Sequence, residues 1–145
     1  MLRNRSLQYT EESLVDLIID CLPDYLSSDN VKVNIAPEVS LSLAESSDYY
    51  CVISFQAEQE FSECVDGSRS AVKRDFTLFI GSHENEKLIE IYDDIMSEDS
   101  VSGLPKISQN GKDYFESVIV KKGANPFIFY DSGLCELVLS LTIIN

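Results

Sequence analysis

The residues able to do chemistry in this 145-residue chain are few and scattered. There is one histidine, His83, and four cysteines, at 21, 51, 64 and 135. General-base work by imidazole and any histidine-ligated metal would rest on His83 alone. It stands beside Glu84 and Glu86 with no nucleophile near it in sequence, and reads as a surface residue. The cysteines lack the paired spacing of a zinc site. Cys51 and Cys135 fall in register with apolar neighbours, as small core residues do. No GxSxG elbow occurs. Gly81-Ser82 sits between a strand-like and a helix-like run. A phosphate loop there would need more glycines and a following lysine, and two glutamates follow instead.

Carboxylates gather at Glu58, Glu60 and Glu63, and again at Asp93, Asp94, Glu98 and Asp99. Neither group has calcium-loop spacing. The aromatics Phe127, Phe129 and Tyr130 could stack nucleobases, but no arginines interleave them, so they read as core and sheet-face residues. The expectation is a protein without catalytic residues, metal or cofactor.

Charge narrows the partners. Acids outnumber bases 25 to 11, for a net charge of −14. Such a chain lacks the basic footprint of a nucleic-acid-gripping protein and is repelled by anionic membranes. The charge suits an acidic face toward a basic partner, a surface that DNA slides past, or plain solubility. The length favours one domain over residues 1–145, large enough to bury a core without staples. The basic start is not followed by an apolar stretch, so no signal peptide is expected, and no run reaches membrane-spanning length. A reducing cytoplasm is the simplest compartment for assembly.

The elements that would position these residues follow from periodicity. A first helix is predicted over 10–26, capped by Thr10, with Leu14, Leu17, Ile18, Cys21, Leu22 and Tyr25 as its apolar stripe. Pro23 should stop or kink it near Leu22. An extended Pro37-containing segment follows at 33–43. In "DYYCVISFQAEQEF" a period of two places Tyr49, Cys51, Ile53, Phe55 and Ala57 on one face. Tyr50, Ser54, Gln56 and Glu58 fall on the other, solvated face, with Val52 the exception. Glu58 and Glu60 share a face. A loop is expected through Asp66 and Gly67, projecting near 59–72. An antiparallel partner strand then carries Phe76, Leu78 and Ile80 inward.

Ser82 is the predicted cap of a second helix with Leu88, Ile91, Tyr92, Ile95 and Met96 on its apolar face. A long polar connection near 97–113 should project or make contacts. Three short strands are predicted after it, broken at Lys122 to Pro126 and at Asp131 to Gly133. The second break has the form of a three-residue hairpin loop with Gly133 in the left-handed region. In the last strand Leu137, Leu139, Leu141 and Ile143 face inward, and Glu136, Ser140 and Thr142 outward. The fold class expected is α+β: a two-layer sandwich, a mostly antiparallel sheet with two helices packed on one face.

This order of elements resembles the tail terminator, or tail-completion, proteins of long-tailed bacteriophages. The likeness runs through the helix at 10–26, the segment at 33–43, "YYCVISFQAEQEF", "RDFTLFIGS", "HENEKLIEIYDDIMS", the long linker and the closing "DSGLCELVLSLTII". It implies a virion protein of the tail and neck: a homohexameric ring that caps the tail tube and meets the head connector. Its partners would be itself, the tail tube protein and the head-completion protein, with DNA passing through the lumen without specific binding. Under that resemblance, Glu58, Glu60, Glu63 and Asp66 are the expected lumen or partner contacts. Three other readings are weighed: an acidic immunity or inhibitor protein masking a basic toxin, a small enzyme using carboxylates only, for which no constellation is found, and another neck or head-completion protein of a phage.

Overall fold

The structure is a computed structural model and describes residues 5–34, 45, 47–62, 70–96, 111, 113–131 and 133–145. Among them the chain runs α1 (Leu7–Cys21), β1 (Val31–Val33), β2 (Tyr50–Ser62), β3 (Ser70–Ser82), α2 (Asn85–Met96), β4 (Ser117–Phe129) and β5 (Cys135–Ile144).

The first helix starts earlier than its periodicity suggests. Ser6, not Thr10, is the N-cap, and its hydroxyl accepts from the Tyr9 amide. Thr10 lies one turn in, fully buried, and donates its hydroxyl to the Ser6 carbonyl. The helix ends at Leu22, just ahead of Pro23, as expected. Leu14, Leu17, Ile18 and Cys21 are its buried stripe. Two asparagines then fix β1. The Asn30 amide donates to the Tyr25 and Tyr49 carbonyls. Asn34, at φ 50°, accepts from the Phe55 amide and donates to Glu11. Asparagine tolerates this left-handed backbone better than other non-glycine residues.

The five strands form one sheet in the order β1-β2-β3-β5-β4. β1 runs parallel to β2, and the other three pairings are antiparallel. The fold is α+β with a mostly antiparallel sheet. A single hydrophobic cluster joins Leu14, Leu17 and Ile18 of α1 and Leu88, Ile91 and Ile95 of α2 to alternate strand residues. These are Cys51 and Ile53, Phe76, Leu78 and Ile80, and Leu137, Leu139, Leu141 and Ile143.

Four expectations need correction. The pairing of β2 with β3 runs Cys51–Ile80, Ile53–Leu78 and Phe55–Phe76, then shifts to Ala57–Asp75 and Glu58–Arg74. Gln56 is thus an extra residue, and one extra residue exchanges the two faces of a strand. Ala57, predicted inward, is exposed, whereas Glu58 and Glu60 come round to the face of Phe55 and Phe76. Second, 59–62 and 70–72, predicted as part of a projecting loop, are strand. Third, the break expected at Lys122 to Pro126 is a register shift inside a single strand, β4. An edge strand needs no donor on its open side, so Pro126 is accommodated there. Fourth, Ser82 closes β3, and α2 begins three residues later. The Ser82 hydroxyl accepts from the Glu84 amide, and the Glu84 carbonyl accepts the first helical bond.

The predicted hairpin turn is present. Gly133 has φ 90°, and Tyr130 donates its amide to the Leu134 carbonyl across the turn. Cys64, most of 33–43 and of 97–113, and the Met96 side chain lie outside the described residues.

Candidate functional site

The sheet face opposite the shared cluster is not uniformly wet. Register sets Tyr50, Gly81, Glu136 and Ile128 side by side across β2, β3, β5 and β4. Val52, Phe79 and Val138 form the next row. Toward the other end come Ser54, Thr77, Ser140 and Lys121. Tyr50, Val52 and Leu134 are buried together with Phe79 against them. Tyr50 and Glu136, expected to face water, are instead 0% and 8% exposed.

A buried carboxylate needs partners. Glu136 has two, the phenols of Tyr50 (2.8 Å) and Tyr130, which donate to its two oxygens. Burial and then the bond to Glu136 hold the Tyr50 phenol above its ordinary pKa. The bond to Glu136, more than burial, pushes Tyr130 up to about 12. Both phenols therefore stay protonated and act as donors at neutral pH. The arrangement locks the first rungs of β2 and β5 to the Tyr130 turn. Each Glu136 oxygen is engaged by one of these donors.

Among the described residues, the two carboxylates Glu58 and Glu60 do not converge on one point. Glu58 binds the Arg74 Nε at 2.5 Å. Arg74 is 6% exposed and also donates to the Thr10 hydroxyl in α1 at 3.0 Å. Glu60 is exposed one rung beyond, opposite Val72. Glu63 and Asp66 lie outside the described residues. His83 is exposed, in a shallow polar depression with Glu45, Ser47, Asp48, Ser82, Glu84 and Lys87. Lys87 spans Asp48 (3.2 Å) and Glu84 (3.6 Å) and lies 5.6 Å from the Tyr49 ring centroid. Its bond to Asp48 raises its pKa. Among the described residues no group of three or more histidine, cysteine or acidic side chains is placed to hold a metal ion, and no helix is long and apolar enough to cross a membrane.

What remains open is β4. Among the described residues it is an edge strand, paired with β5 alone. Ile119 and Ile128 on one face of it, Phe129 on the other and Tyr130 just past its end are 41%, 39%, 64% and 44% exposed, and Ile89 of α2 is 50% exposed. Phe127 and Phe129 stack with ring centroids 6.2 Å apart, and Tyr92 backs Phe127 at 5.0 Å. Sequence reasoning took these aromatics for core and sheet-face residues. The signal it lacked was that β4 lies at an edge, which depends on β5 entering between β3 and β4.

No protein-family model matches the chain, and comparison with curated proteins finds no match.

Proposed function

We propose that the chain is a structural subunit of a long-tailed phage virion. In this reading, six copies close into a ring that caps the tail tube and meets the head connector. The observation that carries it is the long edge strand β4 with exposed apolar side chains on both its faces, on a body of charge −14. Open strand edges and exposed apolar patches are liabilities that a lone soluble subunit avoids and an assembly covers. A closing rotation about a heterologous contact leaves no edge unpaired. The order of helix, strands, helix and strands supports the same reading.

In this view the domain is a two-layer sandwich, with both helices on the face that carries Phe76, Leu78 and Ile80. The shared core cluster favours that arrangement. Glu60, Glu63 and Asp66 supply charge to an acidic annulus, through which DNA passes with little adhesion. Glu58 is committed to Arg74 and contributes less. The subunit works by being docked, with no catalytic step.

Solution mass tests the reading. Light scattering, with and without purified tail tubes, should show a closed assembly of six 16.3 kDa chains, free or tube-bound. A strict monomer that ignores tail tubes would end it.

A further inference from the structure

We propose that the slot between α2 and β4 is a docking site for a basic polypeptide segment that inserts an apolar side chain between Ile89 and Phe129. Asn85, Leu88, Ile89, Phe127 and Phe129 line the slot. Leu88, 1% exposed, forms its floor, and Ile89 and Phe129 stand out on either side. The Tyr92–Phe127–Phe129 stack holds the aromatic wall in place before anything binds, so little ordering cost remains. Anchors that fill such pockets carry most of the energy of an interface.

The rim sets the partner's charge. Glu86 and Asp93 are exposed on α2 within about one turn of Ile89, and Asp131 is exposed just past β4. The one base in α2, Lys87, is turned to Asp48 and Glu84. The β4 lysines, 121 and 122, sit at the rungs of Ser140 and Leu139, whereas Phe129 sits at that of Cys135. An apolar slot inside an acidic rim selects lysine or arginine flanking a leucine or phenylalanine. It disfavours the same acidic rim of a second copy in this slot, and contacts between copies in the ring reading fall to the β4 edge and its other face, where Ile119 and Ile128 stand. The proposal does not depend on the ring reading, since it concerns the chemistry of the occupant.

The test uses the full chain and two blocked synthetic hexapeptides, Lys-Lys-Leu-Phe-Lys-Lys and Lys-Lys-Ser-Ser-Lys-Lys, in calorimetry and two-dimensional NMR. The first should bind saturably, weaken with salt, and shift the resonances of Ile89, Phe127 and Phe129. The second should bind at least about tenfold more weakly, because charge alone does not fill the slot. Ile89→Ser and Phe129→Ser, both at exposed positions, should each weaken the first peptide about tenfold while leaving the thermal melt in place. Glu86→Gln with Asp93→Asn should weaken it and flatten its salt dependence. Equal binding of both peptides, indifference to these variants, no saturable binding, or self-association of the chain through the same resonances would each overturn the proposal.

Discussion

A methyl group at Gly81 would lie 2.1 Å from Cζ of Tyr50. The Tyr50 ring is fully buried and its hydroxyl is tied to Glu136, so it cannot swing aside cheaply. Gly81 is therefore required by a close approach, and the phosphate loop considered from sequence is not needed to explain it. Gly81→Ala is expected to cost about 1–3 kcal/mol by overpacking. Chemical denaturation of the variant checks this, and an unchanged midpoint would show that the ring relaxes freely. The sequence offered no hint of the Glu136 clamp. Glu136 alternates with buried leucines exactly as a solvent-facing residue should, and its partners are six and 86 positions away.

At the scale of elements, much was legible where one periodicity ran uninterrupted. The apolar stripes of both helices, the inward rows of β3 and β5, and the turn at Gly133 all follow from local pattern. The failures sit where a single residue changes the count. Nothing in "SFQAEQEF" marks Gln56 as surplus, because the alternation reads equally well straight through it. Yet Arg74 stood in the same alternation as Phe76, Leu78 and Ile80, and an arginine on that face needs an acid opposite. The bulge supplies it by turning Glu58 over. The result ties the β2–β3 hairpin to the first turn of α1 through Thr10. Glu58→Gln, which leaves a buried guanidinium without its counter-charge, is expected to cost about 1–3 kcal/mol. Arg74→Met should cost less, because Glu58 is half exposed and can rehydrate while the thioether fills the gap. Paired denaturation curves decide the order, and the reverse order would mean that the arginine stem, and not its charge, is what matters there.

For the whole molecule, the carboxylate-bonded phenols and the buried thiol make the alkaline limb of stability distinctive. Tyr130 is pushed from 10.0 up to about 12, and Tyr50 and Tyr25 are raised further, Tyr25 chiefly by its bond to Asp94. Burial pushes Cys51 from 9.0 up to about 12. Each group holds its proton longer when folded than when unfolded. Their contributions are complete below pH 9, shrink once the unfolded thiol and phenols ionise at about 9 and 10, and for Cys51 and Tyr130 are gone above about 12. The urea midpoint should therefore fall as pH rises beyond 9, and Tyr130→Phe should remove part of the slope above 10. A tyrosinate absorbance titration of the folded chain should lag that of the unfolded chain, and coincident titrations would contradict the clamp.

The strand order also bears on biosynthesis. Among the described residues β4 has β5 as its sole ladder partner, and β5 leaves the ribosome after it. For the interval between them, Ser117–Phe129 is a nascent stretch with both edges bare and no template, since β3 must itself await the same latecomer. The sheet thus closes by threading its missing middle into place. Holdase capture or misassembly between neighbouring polysomes would concentrate in that one window of translation.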